Sequence, residues 1–448
     1  MVAFALATLA LPTTAAAYPG QLDPTFSGNG IVKGPPFSYP SPPGVFTTRD
    51  VIVQPDGRIV AGGTWLVQGE QGFGVTRYLS NGELDSSFGD DGYQLIRFRH
   101  RAQGFDVGLQ QDGRIVVAGT VDVGRRSAGS SFRRGKMAVA RLTPEGLLDT
   151  SFGDDGIRVI RRFGYSRFTP RTAIFETAMA LEPDGGIVLG GITWHPFRNL
   201  DFAVAKLTPR GQLDPSFSND GLKAFGFPHR TDRLSDVTID RTGRIVVCGA
   251  TDYRVNRIRS VFGVARLTPS GRMDRSFSGD GRNVIDGTKQ PEAVAARPGG
   301  AVVVAGEAER FRSRIALAQL GEDGSHDRSF GDRGVRYTRL RDSAEVSRVA
   351  LQRDGRIVLV GDAGFIPEDG VYPEKNDLAL LRYRRDGNLD RSFSRNGKTV
   401  TDFGREDYAY GLALQPDGRI VVSAVTEGRP AGHYDLARYK NDGLPPGG

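Results

Sequence analysis

Short runs of alternating apolar and polar residues, separated by turn residues, recur along the whole chain. In one example the run Asp106–Gln110 leads to Asp112 and Gly113, and the run Arg114–Gly119 follows. Asp-Gly between two alternating runs is typical of a β-hairpin, because the turn requires a positive φ that glycine adopts without a Cβ clash. The pattern therefore predicts antiparallel strands.

This hairpin is part of a repeat that occurs seven times. The hairpin glycines are Gly57, Gly113, Gly185, Gly243, Gly300, Gly355 and Gly418. A third apolar run follows each hairpin, as in Phe73–Tyr78, Phe202–Leu207 and Phe262–Leu267. A Leu-Asp-x-x-Phe turn comes next, with the phenylalanines Phe26, Phe88, Phe152, Phe217, Phe277, Phe330 and Phe393. A fourth short run, such as Tyr93–Arg97, completes the unit.

Four antiparallel strands repeated seven times predict an all-β fold, a seven-bladed β-propeller with four-stranded blades. The chain enters with a turn and a fourth strand near Gly30–Lys33, and a third strand lies near its end at Asp435–Tyr439. We therefore expect the N-terminal strand to complete the last blade, which removes an open sheet edge. A linear β-solenoid is the alternative.

The sequence motifs of the repeat resemble a known family. The segment Asp-Gly-Arg-Ile-Val-Val-Ala-Gly at 112–119, the third run and the Leu-Asp-x-x-Phe-Gly turn are similar to the Delta-60 repeat of bacterial exported proteins. The resemblance covers residues 18–448, with local departures at Thr242, Gly299 and Ala424. It implies a propeller and export, and it implies no established activity or catalytic residue.

The N-terminal segment carries a possible targeting signal. Residues 3–17 form an Ala-rich apolar run that ends at Ala15–Ala17 before Tyr18. Such a run is typical of a signal peptide, so we expect residues 1–17 to be removed and residues 18–448 to lie outside the cell or on its surface. A disordered apolar tail is the alternative. No other run reaches the roughly 20 apolar residues of a membrane span.

Composition narrows the possible partners. Lys and Arg number 59 against 52 Asp and Glu, and this net charge of +7 is too small at this length to indicate a nucleic acid partner by itself. The single cysteine, Cys248, excludes an intramolecular disulfide, and we expect it to be a small buried apolar residue. We expect a monomer without a specific nucleic acid partner.

The strand order assigns the loops to two faces. The hairpins and the Asp turns lie on one face, which we call the regular face because its loops are uniform. The connections from second to third strand, and from fourth strand to the next blade, lie on the opposite, variable face. Repeat proteins bind where their repeats differ. The candidate ligand-binding residues are Trp65, Arg125, Arg126, Arg133, Arg134, Trp194, His195, Arg198, Tyr253, Arg254, Arg257 and Arg312.

These candidates combine arginine with aromatic residues. Arginine pairs with carboxylate or phosphate groups, and aromatic rings stack on sugars. The face therefore predicts a non-catalytic protein that binds an anionic polymer, such as a glycan, or a protein partner at the cell surface. The sixth repeat is instead acidic in these loops, and the alternative is that the arginines only form solvated loops.

A second hypothesis is enzymatic. Asp50, Asp106 and Asp236 occupy equivalent positions before three hairpins, while Glu292 and Tyr410 precede that position by one residue. We expect these side chains at the mouth of the central channel, where the inner strands begin. Three carboxylates could hold a divalent metal such as calcium for a hydrolase or lactonase. The competing interpretation is that they bond neighbouring strands, in which case no cofactor is required.

The remaining acids recur with the repeat. Seven turn aspartates accompany a basic residue on most third strands, and such regular repetition favours a structural ion pair over a catalytic role. The aspartates are Asp23, Asp85, Asp149, Asp214, Asp274, Asp327 and Asp390, and the bases are Arg77, Arg141, Lys206, Arg266, Arg382 and Arg438.

Overall fold

The computed structural model describes most of the chain. The described residues are 18–34, 45–67, 69–122, 135–161, 177–194, 200–255, 257–309, 314–365, 375–404, 406–427 and 433–441. Within these ranges no helix has the length and apolar character that a membrane span requires.

The strands form seven four-stranded antiparallel sheets, the blades, which confirms the predicted fold. Blade 1 contains β2 (Val45–Val53), β3 (Ile59–Val67), β4 (Glu70–Tyr78) and β5 (Tyr93–Ile96). Blade 2 contains β6 (Ala102–Leu109), β7 (Ile115–Asp122), β8 (Gly135–Leu142) and β9 (Ile157–Val159). Blade 3 contains β10 (Ala178–Leu181), β11 (Ile187–Trp194), β12 (Leu200–Leu207) and β13 (Leu222–Phe225). Blade 4 contains β14 (Thr231–Ile239), β15 (Ile245–Val255), β16 (Arg257–Leu267) and β17 (Arg282–Ile285).

The remaining blades follow the same order. Blade 5 contains β18 (Thr288–Ala296), β19 (Val302–Ala308), β20 (Arg314–Leu320) and β21 (Val335–Arg339). Blade 6 contains β22 (Ser343–Leu351), β23 (Ile357–Phe365), β24 (Lys375–Tyr383) and β25 (Lys398–Thr401). Blade 7 contains β26 (Glu406–Leu414), β27 (Ile420–Glu427), β28 (His433–Tyr439) and, from the other end of the chain, β1 (Ile31–Lys33).

The N-terminal strand closes the ring as expected. Strand β1 pairs antiparallel with β28, so that Val32 lies opposite Leu436. The preceding segment extends this contact to the next blade, since the amide of Ser394 in blade 6 donates to the carbonyl of Pro19 at 2.8 Å. Because β1 occupies the outer position of blade 7, the sheet edge of β28 is paired rather than open.

A β-bulge shapes the inner strand. In blade 1 the pairing of β2 with β3 shifts between Thr48 and Asp50, so Arg49 is the extra residue. The opposing residue is Gly63, where a Cβ would lie only 2.0 Å from the carbonyl oxygen of Thr47. Glycine is therefore favoured opposite the bulge, which explains the glycine near the end of the second strand in the repeat motif, and blade 7 has the small Ala424 there.

The turn phenylalanines fill the space between blades. All seven have no exposed surface. The ring of Phe88 in blade 1 lies against the turn of blade 2, where a Cβ on Gly146 would come within 2.7 Å of it. Aromatic burial of this kind contributes about 3 kcal/mol or more for each side chain. Each phenylalanine thus belongs to the interface between two blades as much as to its own blade.

An ion pair accompanies most of these interfaces, and we call it the blade staple. In blade 2 the Nε of Arg141 donates to Asp149 at 2.9 Å, and a second guanidinium nitrogen reaches the carbonyl of Pro209 in blade 3. The guanidinium carbon lies 4.8 Å from the centre of the Phe152 ring. Arg77, Arg266, Arg382 and Arg438 make the same ion pair and ring contact in their blades. The recurring acids and bases are therefore structural, as their repetition indicated.

Blade 5 carries no base at the staple position of its third strand, where it has Gln319, and the structure explains the exception. In blade 2, Gln110 at the end of the first strand donates to the carbonyl of Gly185 in the next hairpin at 2.6 Å. In blade 5, Arg297 takes the place of this glutamine and donates to the carbonyl of Gly355 at 2.8 Å. Gln319 takes the place of the third-strand arginine. The two residue types have thus exchanged positions while both contacts persist.

Candidate functional site

The structure describes five of the twelve predicted ligand-binding residues. Arg125, Arg126, Arg133, Arg134, His195, Arg198 and Arg312 lie outside the described residues. Trp194 ends strand β11 and pairs with Leu200. The variable face is therefore described mainly at its strand ends and at the connections that lead into blades 2, 4, 5 and 6.

Two expectations about this face need correction. Trp65 was expected on the surface, but only 1% of the residue is exposed, and its indole Nε1 donates to the carbonyl of Ile96 at 3.4 Å. It lies on the inward-facing side of β3, so its ring packs in the core between blades 7 and 1. Tyr253, Arg254 and Arg257 belong to paired strands and not to an irregular loop, because β15 and β16 continue their ladder out to Val255 and Arg257.

A cationic cluster occupies the connection from blade 1 to blade 2 on the variable face. Arg97, Arg99, His100 and Arg101 are all exposed. The segment is held in place by Phe98, whose ring centre lies 4.4 Å from that of Phe73. The Arg97 guanidinium covers the Trp65 ring at 5.4 Å and approaches the exposed Glu70 at 3.5 Å. We call these four residues the blade 1–2 basic cluster.

The predicted channel carboxylates form a ring at the bulges. Asp50, Asp106 and Asp236 each follow the bulge of their inner strand, near its middle and not at the mouth where the strand begins. The position differs from the prediction because the bulge turns a mid-strand side chain towards the channel. Each carboxylate accepts a backbone amide from the next blade, at the residue that follows the equivalent ring position: Val107 at 3.2 Å, Met179 at 2.7 Å and Val294 at 2.8 Å, respectively.

An arginine crosses this ring. Arg348 occupies the equivalent position in blade 6, and its guanidinium donates to Asp106 of blade 2 at 2.6 Å. Its Nε lies 3.9 Å from Asp50 of blade 1. The guanidinium of blade 6 thus reaches across the channel to carboxylates of blades 1 and 2.

The electrostatics of the ring follow from burial. Desolvation raises the pKa of Asp50 to about 7, although the nearby Arg348 opposes the rise and Asp106 adds to it. Burial likewise raises the pKa of Asp236 to about 7, with Arg348 again opposing. Two of the three acids are therefore partly protonated near neutral pH, because one guanidinium does not neutralise three buried carboxylates.

Glu292 and Tyr410 are the extra residues of their bulges, so they lie beside the ring. The carboxylate of Glu292 accepts from the side-chain amide of Gln290 at 2.5 Å. Tyr410 stacks with Arg49 of blade 1, whose guanidinium carbon lies 4.2 Å from the ring centre. Both side chains are therefore tied to neighbours on the same level of the channel.

The described residues also bring together an acidic group that sequence reasoning did not single out as a site. Asp377, Asp402 and Asp407 have carboxylate oxygens within 4.8 Å of one another. Lys375 contacts Asp402 at 2.5 Å, and Arg341 pairs with Asp377. These two cations already offset the charge of the group. Asp50, Asp106 and Asp236 do not form such a group in the part of the chain that the structure describes.

Sequence reasoning identified the ring positions but missed the role of Arg348. The residue stands at the same repeat position as the three aspartates, so an alignment of the repeats does find it. What the repeats do not give is the reach of its side chain across the channel to blades 1 and 2.

The seven blades, the repeat motif and the polar channel define the chain as a β-propeller repeat protein. Five segments match a protein-family model described as a domain of unknown function (DUF5122) beta-propeller, at residues 54–88, 110–152, 182–217, 241–277 and 352–393. None of the curated proteins matches the chain.

Several solved structures resemble the chain at TM-scores below 0.5. A protein of unknown function from Dyadobacter fermentans has 11% identity and a TM-score of 0.46, with 92% of this chain and 99% of that chain covered. Sqt1 from Chaetomium thermophilum has 12% identity and a TM-score of 0.42, covering 88% and 95%. The α-L-arabinofuranosidase Arb93A from Fusarium graminearum has 10% identity and a TM-score of 0.43, covering 79% and 97%. At these values the likenesses carry no argument about function.

Proposed function

We propose that this protein is an exported, non-catalytic propeller of the Delta-60 type that binds an anionic polymer, most simply an acidic glycan, on its variable face. The observation that carries the proposal is the blade 1–2 basic cluster. Arg99, His100 and Arg101 are exposed side by side on that face, and among the described residues none of their side chains forms an ion pair. A protein partner with an acidic surface is the alternative ligand for the same cluster.

The distribution of the acids supports this proposal. The recurring turn aspartates are used in the blade staples, as Asp149 is by Arg141. The channel carboxylates are used by backbone amides and by Arg348. A hydrolase that used these carboxylates around a metal would first have to displace the Arg348 guanidinium, so the ring favours a structural role.

Charge reversal of the cluster tests the proposal. The variant Arg99→Glu with Arg101→Glu should weaken binding of a fluorescent heparin hexasaccharide and of hexagalacturonate about tenfold or more at low salt, because two guanidinium contacts become repulsive. Fluorescence anisotropy measures the dissociation constants.

A matched variant on the regular face provides the control. Arg210→Glu with Arg353→Glu changes the net charge equally, at two exposed positions. We expect this control to bind within about twofold of the parent protein, since surface charges far from the ligand are screened. Equal binding by all three proteins would refute a site at the blade 1–2 basic cluster.

A further inference from the structure

A second basic surface lies on the outer rim, along the outer strands of two blades. A groove of about 880 Å³ runs between β21 of blade 5 and the turn and outer strand of blade 6. We call it the rim groove. The residues that give it its character are Arg336, Tyr337, Arg339, Arg384, Arg391 and Lys398.

The groove has a strong excess of positive charge. Five of its lining residues are cations, and its acid is Asp390. The carboxylate of Asp390 is buried and pairs with Arg382 at 2.8 Å and with Arg356 at 3.4 Å. Because that charge is already matched inside the blade staple, it does not offset the cations of the groove.

Two of the cations are fixed by the fold. The Nε of Arg336 donates to the carbonyl of Gly387 at 3.2 Å, and another of its nitrogens donates to the side chain of Asn388. The Nζ of Lys398 donates to the carbonyl of Arg339 at 2.6 Å. These contacts position the cations without neutralising them, because every acceptor is uncharged.

The other three cations are exposed at the edges of the groove. Arg384 approaches the exposed Asp386 at 3.6 Å, a contact of little energetic weight. Within the described part of the chain, the side chains of Arg339 and Arg391 have no ion-pair partner. The groove thus combines a fixed cationic floor with exposed guanidinium groups at its borders.

Compared with blades 2 and 3, blade 6 carries more positive charge at two turn positions, and blade 7 has Lys440 and Asn29 at the same two positions. Arg384 occupies the same turn position as Thr143 in blade 2 and Thr208 in blade 3. The backbone amide of each of these residues donates to the carbonyl four positions later. Asn396 occupies the position of Asp220 in blade 3 and accepts the equivalent backbone amide, from Lys398 at 2.9 Å. The turn has therefore kept its hydrogen bond and lost its negative charge.

We propose that the rim groove binds a segment of an acidic polysaccharide, at a site separate from the blade 1–2 basic cluster. Guanidinium groups pair with carboxylate or sulfate groups in bidentate geometry, and the partly exposed Tyr337 ring offers one surface for a sugar. Single-stranded nucleic acid is less well matched, because it uses a series of aromatic rings for successive bases and the groove presents one.

The test reverses the exposed charges. All measurements use a protein that carries Arg99→Glu and Arg101→Glu, so that binding at the groove is isolated. In this protein, adding Arg339→Glu with Arg391→Glu should raise the dissociation constant of the heparin hexasaccharide about tenfold or more. Hexagalacturonate separates carboxylate from sulfate recognition, and neutral maltohexaose should not bind. The neutral pair Arg339→Gln with Arg391→Gln should show a smaller loss and serves if charge reversal prevents folding.

The control is a pair of arginines at the same repeat position as Arg391. Arg275→Glu with Arg328→Glu changes the charge equally on blades 4 and 5, where both residues are exposed. This control should alter the dissociation constant less than about threefold. Two results would overturn the proposal: equal losses in both pairs, or no loss in the groove pair. It would also be overturned if a 12-nucleotide DNA strand bound in the groove more tightly than both hexasaccharides. Failure of the blade 1–2 cluster alone would leave it standing.

Discussion

The guanidinium of Arg266 has no exposed side-chain surface, so all of its polar contacts must come from the protein. Asp274 accepts from it at 2.7 Å, the carbonyl of Glu322 at 2.7 Å and the hydroxyl of Ser276 at 3.1 Å. A buried cation is costly unless it is matched in this way. The planar fork of arginine reaches all three acceptors, which a lysine cannot do.

Blade 3 shows how the staple adapts to lysine. Lys206 lies 3.6 Å from Asp214, and its ammonium is also held by Glu182 at 2.9 Å. Glu182 occupies the position of Gln110 in blade 2. A second carboxylate therefore accompanies the more compact cation, so the substitution at one strand is matched at the neighbouring strand.

The exchange of arginine and glutamine in blade 5 leads to a prediction at the residue scale. Arg297→Gln and Gln319→Arg should each lower the free energy of unfolding by about 1–3 kcal/mol, because each leaves a buried polar group or charge unmatched. The double variant restores the blade 2 arrangement and should lie within about 1 kcal/mol of the parent. Urea denaturation measures all four proteins.

The reverse exchange in blade 2, Gln110→Arg with Arg141→Gln, is the matched control and should be tolerated equally. If the double variant in blade 5 loses the sum of its two single effects, then the two side chains do not compensate each other. Such additivity would contradict the interpretation of the exchange.

At the scale of elements, closure depends on a short strand and one buried carboxylate. Strand β1 supplies only three residues to blade 7. Asp23, just before it, is fully buried and accepts from Arg438 of β28 at 2.9 Å, and Arg419 approaches the same oxygen at 2.9 Å. The ion pair therefore fastens the N-terminal segment to the third strand of the blade that it completes.

Removing this carboxylate should weaken closure. Asp23→Ala leaves the buried Arg438 unmatched and should cost about 3–5 kcal/mol, measured by calorimetry or urea denaturation. Asp417→Ala removes an exposed partner of the same Arg419 and should cost less than about 1 kcal/mol. Deletion of residues 18–33 should be more severe, because it opens the edge of β28 and exposes it to aggregation. A deletion protein with unchanged heat resistance would contradict closure by β1.

These element-scale features differ in how far the sequence predicted them. The hairpins, the turn phenylalanines and the closing strand follow from local patterns, because glycine turns and alternating runs act over a few residues. The burial of Trp65 was not predicted, since one aromatic residue near a strand end satisfies both a surface and a core pattern. Its position was decided by packing against blade 7.

At the scale of the whole molecule, the channel ring and the blade staples give opposite pH dependences. The pKa values of Asp50 and Asp236 are raised to about 7, so between about pH 4 and pH 7 the folded protein binds more protons than the unfolded chain. Stability from this source falls as pH rises through that window. The staple acids behave in the opposite way, because side-chain hydrogen bonds and paired arginines outweigh burial and hold the pKa of residues such as Asp149 below its usual value.

Taken together, the ring acids and the staple acids should stabilise the folded protein most near pH 4 to 5. Below about pH 4 the staple acids become protonated and their contribution is lost, while above that value the ring acids begin to ionise. The free energy of unfolding should decline from about pH 5 to pH 7 and then level off. Urea denaturation across pH 3 to 9 measures the profile.

Two variants identify the ring as the source. Asp236→Asn should flatten the decline between pH 5 and pH 7, because one titrating group is removed. Arg348→Met should steepen it and should cost about 1–3 kcal/mol at pH 8, since Asp106 then lacks its cation. Arg353→Met, an exposed arginine of the same blade, serves as the control. An unchanged profile in both ring variants would assign the pH dependence to other groups.

The sequence by itself determined the number of blades, the strands within each blade, the structural role of the recurring Asp and Arg residues, and the manner of closure. These features depend on short-range turn chemistry and on a pattern repeated seven times, so each copy supports the others. Only the tertiary structure decided which charges are already paired and which are free. Arg348 reaches across the channel, and the rim groove combines residues from two blades, because both depend on distances between elements that the repeat pattern does not encode.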